Sequence, residues 1–156
     1  MKLVSSNFES GKEIPRRHSR DGGNVSPALA WSGMPDKARS LALIVDDPDA
    51  PKGTFVHWLI CGLSPESDGL PEGAGSTPRD GARSGRNGFG ETGYGGPKPP
   101  GGTHRYFFHL YALDKELDLT QGFDRQQIES AMRGHILATA ELFGVYTHRE
   151  SGPRAA

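Results

Sequence analysis

Glycine and proline interrupt this chain so often that only one stretch, residues 124–133, is long and clean enough for a helix. The 156 residues include Gly 22 and Pro 12, well above ordinary usage. They fall between apolar runs and follow no period, which reads as loops between short elements and not as collagen or low complexity. Residues 40–45, SLALIV, read as a buried strand. Asp46-Asp47-Pro48-Asp49-Ala50-Pro51 ends it, because each proline removes a ladder donor and fixes φ. Residues 54–63 form a second candidate strand, in which alternation predicts Phe55, His57 and Leu59 on one face and Val56, Trp58 and Ile60 on the other. Residues 104–113 are the clearest strand, with His104, Tyr106, Phe108 and Leu110 on one side and Arg105, Phe107, His109 and Tyr111 on the other. In the helix candidate, Asp124 is placed to cap and Gly134 to stop. Residues 136–146 fit helix or strand, and their alternation favours strand. Residues 2–8 and 29–32 are weaker strand candidates. Residues 64–103 are punctuated throughout, a length of irregular chain that is often functional and has room for short strands or turns. The expectation is one mainly β domain over 1–156, a sandwich or barrel with one or two short helices.

Charge and cysteine content narrow the function classes. The formal net charge of −1 gives no general attraction to nucleic acid or anionic membranes. The first fifteen residues lack the apolar core of a signal peptide, and no run approaches a membrane span. The expected compartment is the cytoplasm. Cys61 is the only cysteine, which excludes an internal disulfide framework and a thiolate zinc cluster.

Gly88-Phe89-Gly90-Glu91-Thr92-Gly93 fits G-x-G-x-x-G, but the YGGPKPPGG that follows cannot sustain the helix a dinucleotide site needs. No P-loop, G-x-S-x-G or H-E-x-x-H occurs. Asp47, His57, His104 and Tyr106 are the stronger candidates. Asp47 ends one strand, His57 lies inside an apolar strand where an unpartnered imidazole is costly, and His104 and Tyr106 point the same way from a third. Neighbouring strands would bring these side chains to one cavity. The competing reading is that each histidine is a satisfied core or surface residue. Two histidines and a carboxylate also make a known iron or zinc set, although the long spacing is not diagnostic. His18, His109, His135 and His148 are dispersed and carry no assigned role. In the loop before 104, Gly93, Gly95 and Gly96 would let backbone approach a bound group and aim N–H groups at an anion, while Pro97, Pro99 and Pro100 stiffen it.

DPDAP at 47–51, HW at 57–58 and GYGGPKPPGGTHRYFFHLYALD at 93–114 resemble the phosphatidylethanolamine-binding protein family, in particular its bacterial and archaeal, Raf-kinase-inhibitor-like branch. NVSPALAW at 24–31 and HILATAELFGVY at 135–146 extend the resemblance over nearly the whole chain. It implies a Greek-key β-sandwich with a small anion pocket at one end that accepts phosphate, phosphate-like anions or a phosphoethanolamine headgroup. Its implied lining is Asp47, Ala50, Pro51, His57, Gly96, Pro97, His104 and Tyr106. Lys98 stands where branch members often carry cysteine and would add positive charge at the mouth. Ala28, His18 and Arg20 also depart from the branch pattern. The chain ends soon after Tyr146, without the C-terminal helix of animal members, which weakens the case for kinase inhibition.

The expected activity is therefore binding of a phosphate-containing small molecule or phospholipid headgroup, with no cofactor. His57, His104, Tyr106 and the glycine amides would supply donors. Asp47 would either orient a histidine and raise its pKa or face a cationic part of the ligand. Partners within this expectation are a protein kinase or protease and a second copy of the chain through an edge strand. The alternative is a metal-dependent or histidine-assisted hydrolase using Asp47, His57 and His104, for which no nucleophile on a strained turn is evident.

Overall fold

The computed structural model describes residues 1–76 and 81–148 and places the apolar runs in two antiparallel sheets. The strands are β1 (Lys2–Val4), β2 (Leu29–Ser32), β3 (Ser40–Asp47), β4 (Phe55–Leu63), β5 (Gly69–Leu70), β6 (Arg83–Ser84), β7 (Thr103–Leu113) and β8 (Ile136–Thr147). One helix, α1 (Arg125–Met132), lies between the last two. The small sheet has the order β1-β2-β5 and the large one β6-β4-β3-β7-β8. Residues 136–146, open to either reading in the sequence, belong to β8, paired with β7 from Thr103↔Thr147 to Leu113↔Ile136. The first strand is shorter than residues 2–8, and Phe8 turns into the core. The expectation that no helix follows Tyr146 concerns in part residues 149–156, which lie outside the described residues.

The sheets pack face to face as a sandwich. Leu3, Leu29 and Trp31 of the small sheet meet a layer containing Leu43, Trp58, Phe108 and Leu110 of the large one. The other face of the large sheet carries Ala42, Ile44, Leu59 and Cys61, covered by Ile128 and Met132 of α1. β3 is thus buried on both faces along its whole length, which is why SLALIV is a continuous apolar run without alternation. The helix is bounded as its sequence predicts. Asp124 and Gln127 form a reciprocal capping box, and Gly134 turns the chain at φ 83°. Arg125 anchors α1 to the sheet by donating from Nη2 to Oδ2 of buried Asp46 at 2.8 Å.

One expectation about β4 fails, and the failure shapes the pocket. Val45 pairs with Trp58 and Asp46 with Val56, so His57 is the extra residue of a β-bulge. The bulge breaks the period of two. Leu59 joins the outer layer under α1, whereas Phe55 and His57 face the end of the sandwich on the side of Trp58 and Ile60. Segment 64–103 contains β5, β6, a 3-10 turn at Ala74–Ser76 and an isolated bridge between Arg86 and Thr92. Part of it covers the edge of β4: Gly85 and Gly88 donate to the carbonyls of Leu59 and Val56, both at 2.8 Å.

Candidate functional site

β3 ends at Asp47, β4 begins at Phe55 opposite it, and β7 enters the same corner through His104. These three strand ends surround a cavity of about 240 Å³. Asp47, His57, His104 and Tyr106 form its polar part. Ala50, Pro51, Gly53, Phe55, Phe89, Pro99 and Pro100 form its apolar part, and Lys52 and Lys98 complete the lining. The β3–β4 turn is clasped to β7. Arg105 donates from its backbone N–H, Nε and Nη2 to the Asp49 carboxylate at 2.9, 2.9 and 2.8 Å. That guanidinium holds the Asp49 carboxyl down at about 2.

Both pocket histidines are buried and oriented through Nδ1. His57, 3% exposed, donates from Nδ1 to the Gly95 carbonyl at 2.6 Å. The Gly95 N–H donates back to the His57 carbonyl at 2.8 Å. The bulged residue is therefore tied twice to the glycine loop. His104 donates from Nδ1 to Oδ2 of Asp47 at 2.6 Å, and the other Asp47 oxygen accepts the Asp49 N–H at 2.8 Å. The Tyr106 ring stands edge-on to His57 at 5.1 Å between centroids and stacks beside His104 at 6.5 Å. Its hydroxyl is buried and has no hydrogen-bond partner among the described residues.

Burial pushes the His57 pKa down, and the Gly95 carbonyl with the Asp47 and Asp46 charges only partly opposes it. Burial likewise pushes Tyr106 up, and the nearby Asp47 charge adds to the effect. The site at neutral pH therefore has a neutral His57 and a protonated Tyr106.

Six of the eight expected residues line the cavity together: Asp47, Ala50, Pro51, His57, His104 and Tyr106. Gly96 and Pro97 do not. The Gly96 N–H donates to Oδ1 of Asn24 at 2.7 Å, and the Pro97 carbonyl accepts the Arg20 N–H at 3.0 Å. The glycine amides expected to face an anion are all engaged within the protein, since Gly93 N–H meets the Gly85 carbonyl at 3.2 Å. The freedom of these glycines serves close packing instead. A Cβ on Gly95 would lie 2.5 Å from the Phe89 ring. Lys98 does line the cavity, as its position suggested. Phe55, Phe89 and Lys52 were missed. The DPDAP turn and HW pair bracket Lys52 and Phe55 and could have drawn attention to them, but no local signal marks Phe89. Among the remaining histidines, His18 is buried and donates to the Val25 carbonyl at 2.8 Å. His109, His135 and His148 pair with Asp46, Asp114 and Asp21. Among the described residues, no three His, Cys, Asp or Glu side chains are grouped to hold a metal ion, and no helix is long and apolar enough to cross a membrane.

Comparison with known proteins matches residues 4–147 to the family model described as phosphatidylethanolamine-binding protein. A UPF0098 protein of Methanothermobacter thermautotrophicus is 49% identical over 149 residues, covering 94% of this chain and 98% of that one. The crystal structure of CT736 from Chlamydia trachomatis, described as a putative homolog of that family, superposes with a TM-score of 0.88 at 43% identity. It covers 95% of this chain and 97% of its own. YbcL of E. coli, described as a member of the mammalian family, gives 0.89 at 32% identity, covering 95% and 98%.

Proposed function

Because the chain belongs to the phosphatidylethanolamine-binding protein family, we propose that its pocket binds a small oxyanion, foremost a phosphate group on a larger molecule. The observation that carries this reading is the pair of pocket histidines, His57 and His104, each anchored through Nδ1 and lining one cavity, with neither Nε2 meeting a hydrogen-bond partner among the described residues. A polar ring nitrogen left in this way is satisfied by a hydrogen-bonding group of the ligand. Lys52 and Lys98 supply positive charge, and the Phe55, Phe89 and proline walls suit an organic remainder such as an ethanolamine ester. The protein acts as a binding module. Among the described lining residues there is no serine, threonine or cysteine, and burial keeps the Tyr106 phenol protonated, which favours binding over hydrolysis through a hydroxyl or thiol nucleophile. Asp47 takes the first of its two expected roles, orienting His104.

Calorimetric titration with inorganic phosphate and phosphoethanolamine tests this. Both bind, and His104→Ala weakens each by at least about tenfold, the loss of one charge-assisted contact. Unchanged affinity in that variant overturns the assignment. Turnover of an aryl phosphate that depends on His104 would replace the binding module with the hydrolase reading. A protease or kinase partner at the rim, pairing of two copies through an edge strand and a cytoplasmic location are further parts of the proposal.

A further inference from the structure

We propose that this pocket selects its oxyanion by the protons the ligand carries, admitting hydrogen-bearing phosphate and rejecting sulfate. The inference rests on the oxyanion reading above and adds a rule for which oxyanion binds. A carbonyl oxygen only accepts hydrogen bonds, so the 2.6 Å contact to Gly95 fixes the His57 proton on Nδ1. The Asp47 carboxylate does the same for His104 at 2.6 Å. Its second oxygen is held by the Asp49 N–H, so the carboxylate cannot turn away. In their neutral forms both rings therefore present an Nε2 lone pair. Neither Nε2 meets a hydrogen-bond partner among the described residues, and neither is sealed as the Tyr106 hydroxyl is.

The polar floor thus presents two acceptors. An oxyanion without protons sets lone pairs against lone pairs at both imidazoles. Dihydrogen phosphate offers two P–OH donors to the two Nε2 atoms. A monoester carrying one P–OH, whose second ionisation lies near ~6, satisfies one ring while the other takes a proton. Sulfate has no proton to offer at neutral pH and needs both rings charged. His57 resists this, because burial between Phe55, Phe89 and Tyr106 disfavours its cation. Among the charges around it, Asp47 and Asp46 favour that cation and Arg20 opposes it. Near His104, Asp49 is paired with Arg105. Lys52 and Lys98 attract any anion and do not discriminate.

The test is calorimetric titration of the full chain with inorganic phosphate, methyl phosphate and sulfate, at neutral pH and equal ionic strength. Phosphate and methyl phosphate are expected to bind at least about tenfold more tightly than sulfate, the effect of a single unmet acceptor in a buried site. Asp47→Asn supplies the opposite sign. The oxygen of the introduced carboxamide keeps the Asp49 N–H, its NH2 group donates to His104 Nδ1, and the His104 proton moves to Nε2. Sulfate then binds more tightly and the preference narrows severalfold. Equal binding of phosphate and sulfate by the unaltered protein, or an unchanged ratio in Asp47→Asn, overturns the filter while leaving the oxyanion reading in place. Binding of none of the three anions overturns both. Long-range 1H–15N spectra of the unaltered protein give an independent check: Nδ1 of each ring carries a proton without ligand, and a neutral Nε2–H tautomer of either ring sinks the proposal.

Discussion

Tyr106 packs its ring between the edge of His57 and the face of His104 and leaves its hydroxyl buried. That combination bears on both stability and binding. Tyr106→Phe removes a polar group that meets no hydrogen-bond partner among the described residues, so the ligand-free midpoint of thermal unfolding stays the same or rises. Phosphate affinity stays within about twofold, because the hydroxyl is sealed from the cavity. Paired melting curves and titrations check both halves. A loss of stability in the free protein would mean that the hydroxyl already has a partner. The candidate residues were legible as residues because they are polar side chains set in apolar runs. Which atom of each ring faces the cavity was not. That depends on the Gly95 carbonyl, 38 positions from His57, and on Asp47, 57 positions from His104, and no spacing pattern carries contacts of that separation. For the same reason the glycine amides, expected to face an anion, are in fact committed to Gly85, His57 and Asn24.

Along the elements, strands with strict alternation were legible and the bulged one was not. β7 keeps Tyr106, Phe108 and Leu110 in the inner core as its pattern predicts. In β4 the same rule put His57 and Leu59 together and was broken by one inserted residue. α1 was legible because its cap and stop are local, but its anchoring was not. The Asp46 carboxyl, on the face opposite the pocket, is pushed up by burial, and the His109 hydrogen bond with the His109 and Arg125 charges outweighs this and holds it low. Arg125→Ala therefore leaves a buried carboxylate with fewer donors and lowers stability by about 1–3 kcal/mol, measured by urea unfolding. Phosphate affinity is expected to stay within about twofold, since Arg125 is absent from the pocket lining and its loss is confined to the outer face.

For the molecule as a whole, the two-layer architecture was legible from the spacing of apolar runs, whereas the small sheet was only partly so. β5, at the edge of the small sheet, is two residues long, as is β6 at the edge of the large one, and both are too short for a periodic signal. Buried neutral histidines set the acid response. The pKa values of His57 and His18 are both lowered, in each case by burial first. A histidine depressed in the folded state contributes stability that is complete above its unfolded value of about 6.5 and is lost as pH falls below it. Ligand-free unfolding free energy is thus expected to decline as pH drops below about 6.5, and saturating phosphate to offset part of that decline. Urea titrations across this range, with and without phosphate, measure it, and a flat profile without ligand would contradict neutral burial of the two rings. The two bonds between Gly95 and His57, one backbone to backbone and one from the imidazole, also turn the stretch from 85 to 95 into a ruler. One residue inserted or removed there would carry the imidazole out of position, so the length of the stretch is held as tightly as the buried Asn87 side chain and the Phe89 ring that it also positions.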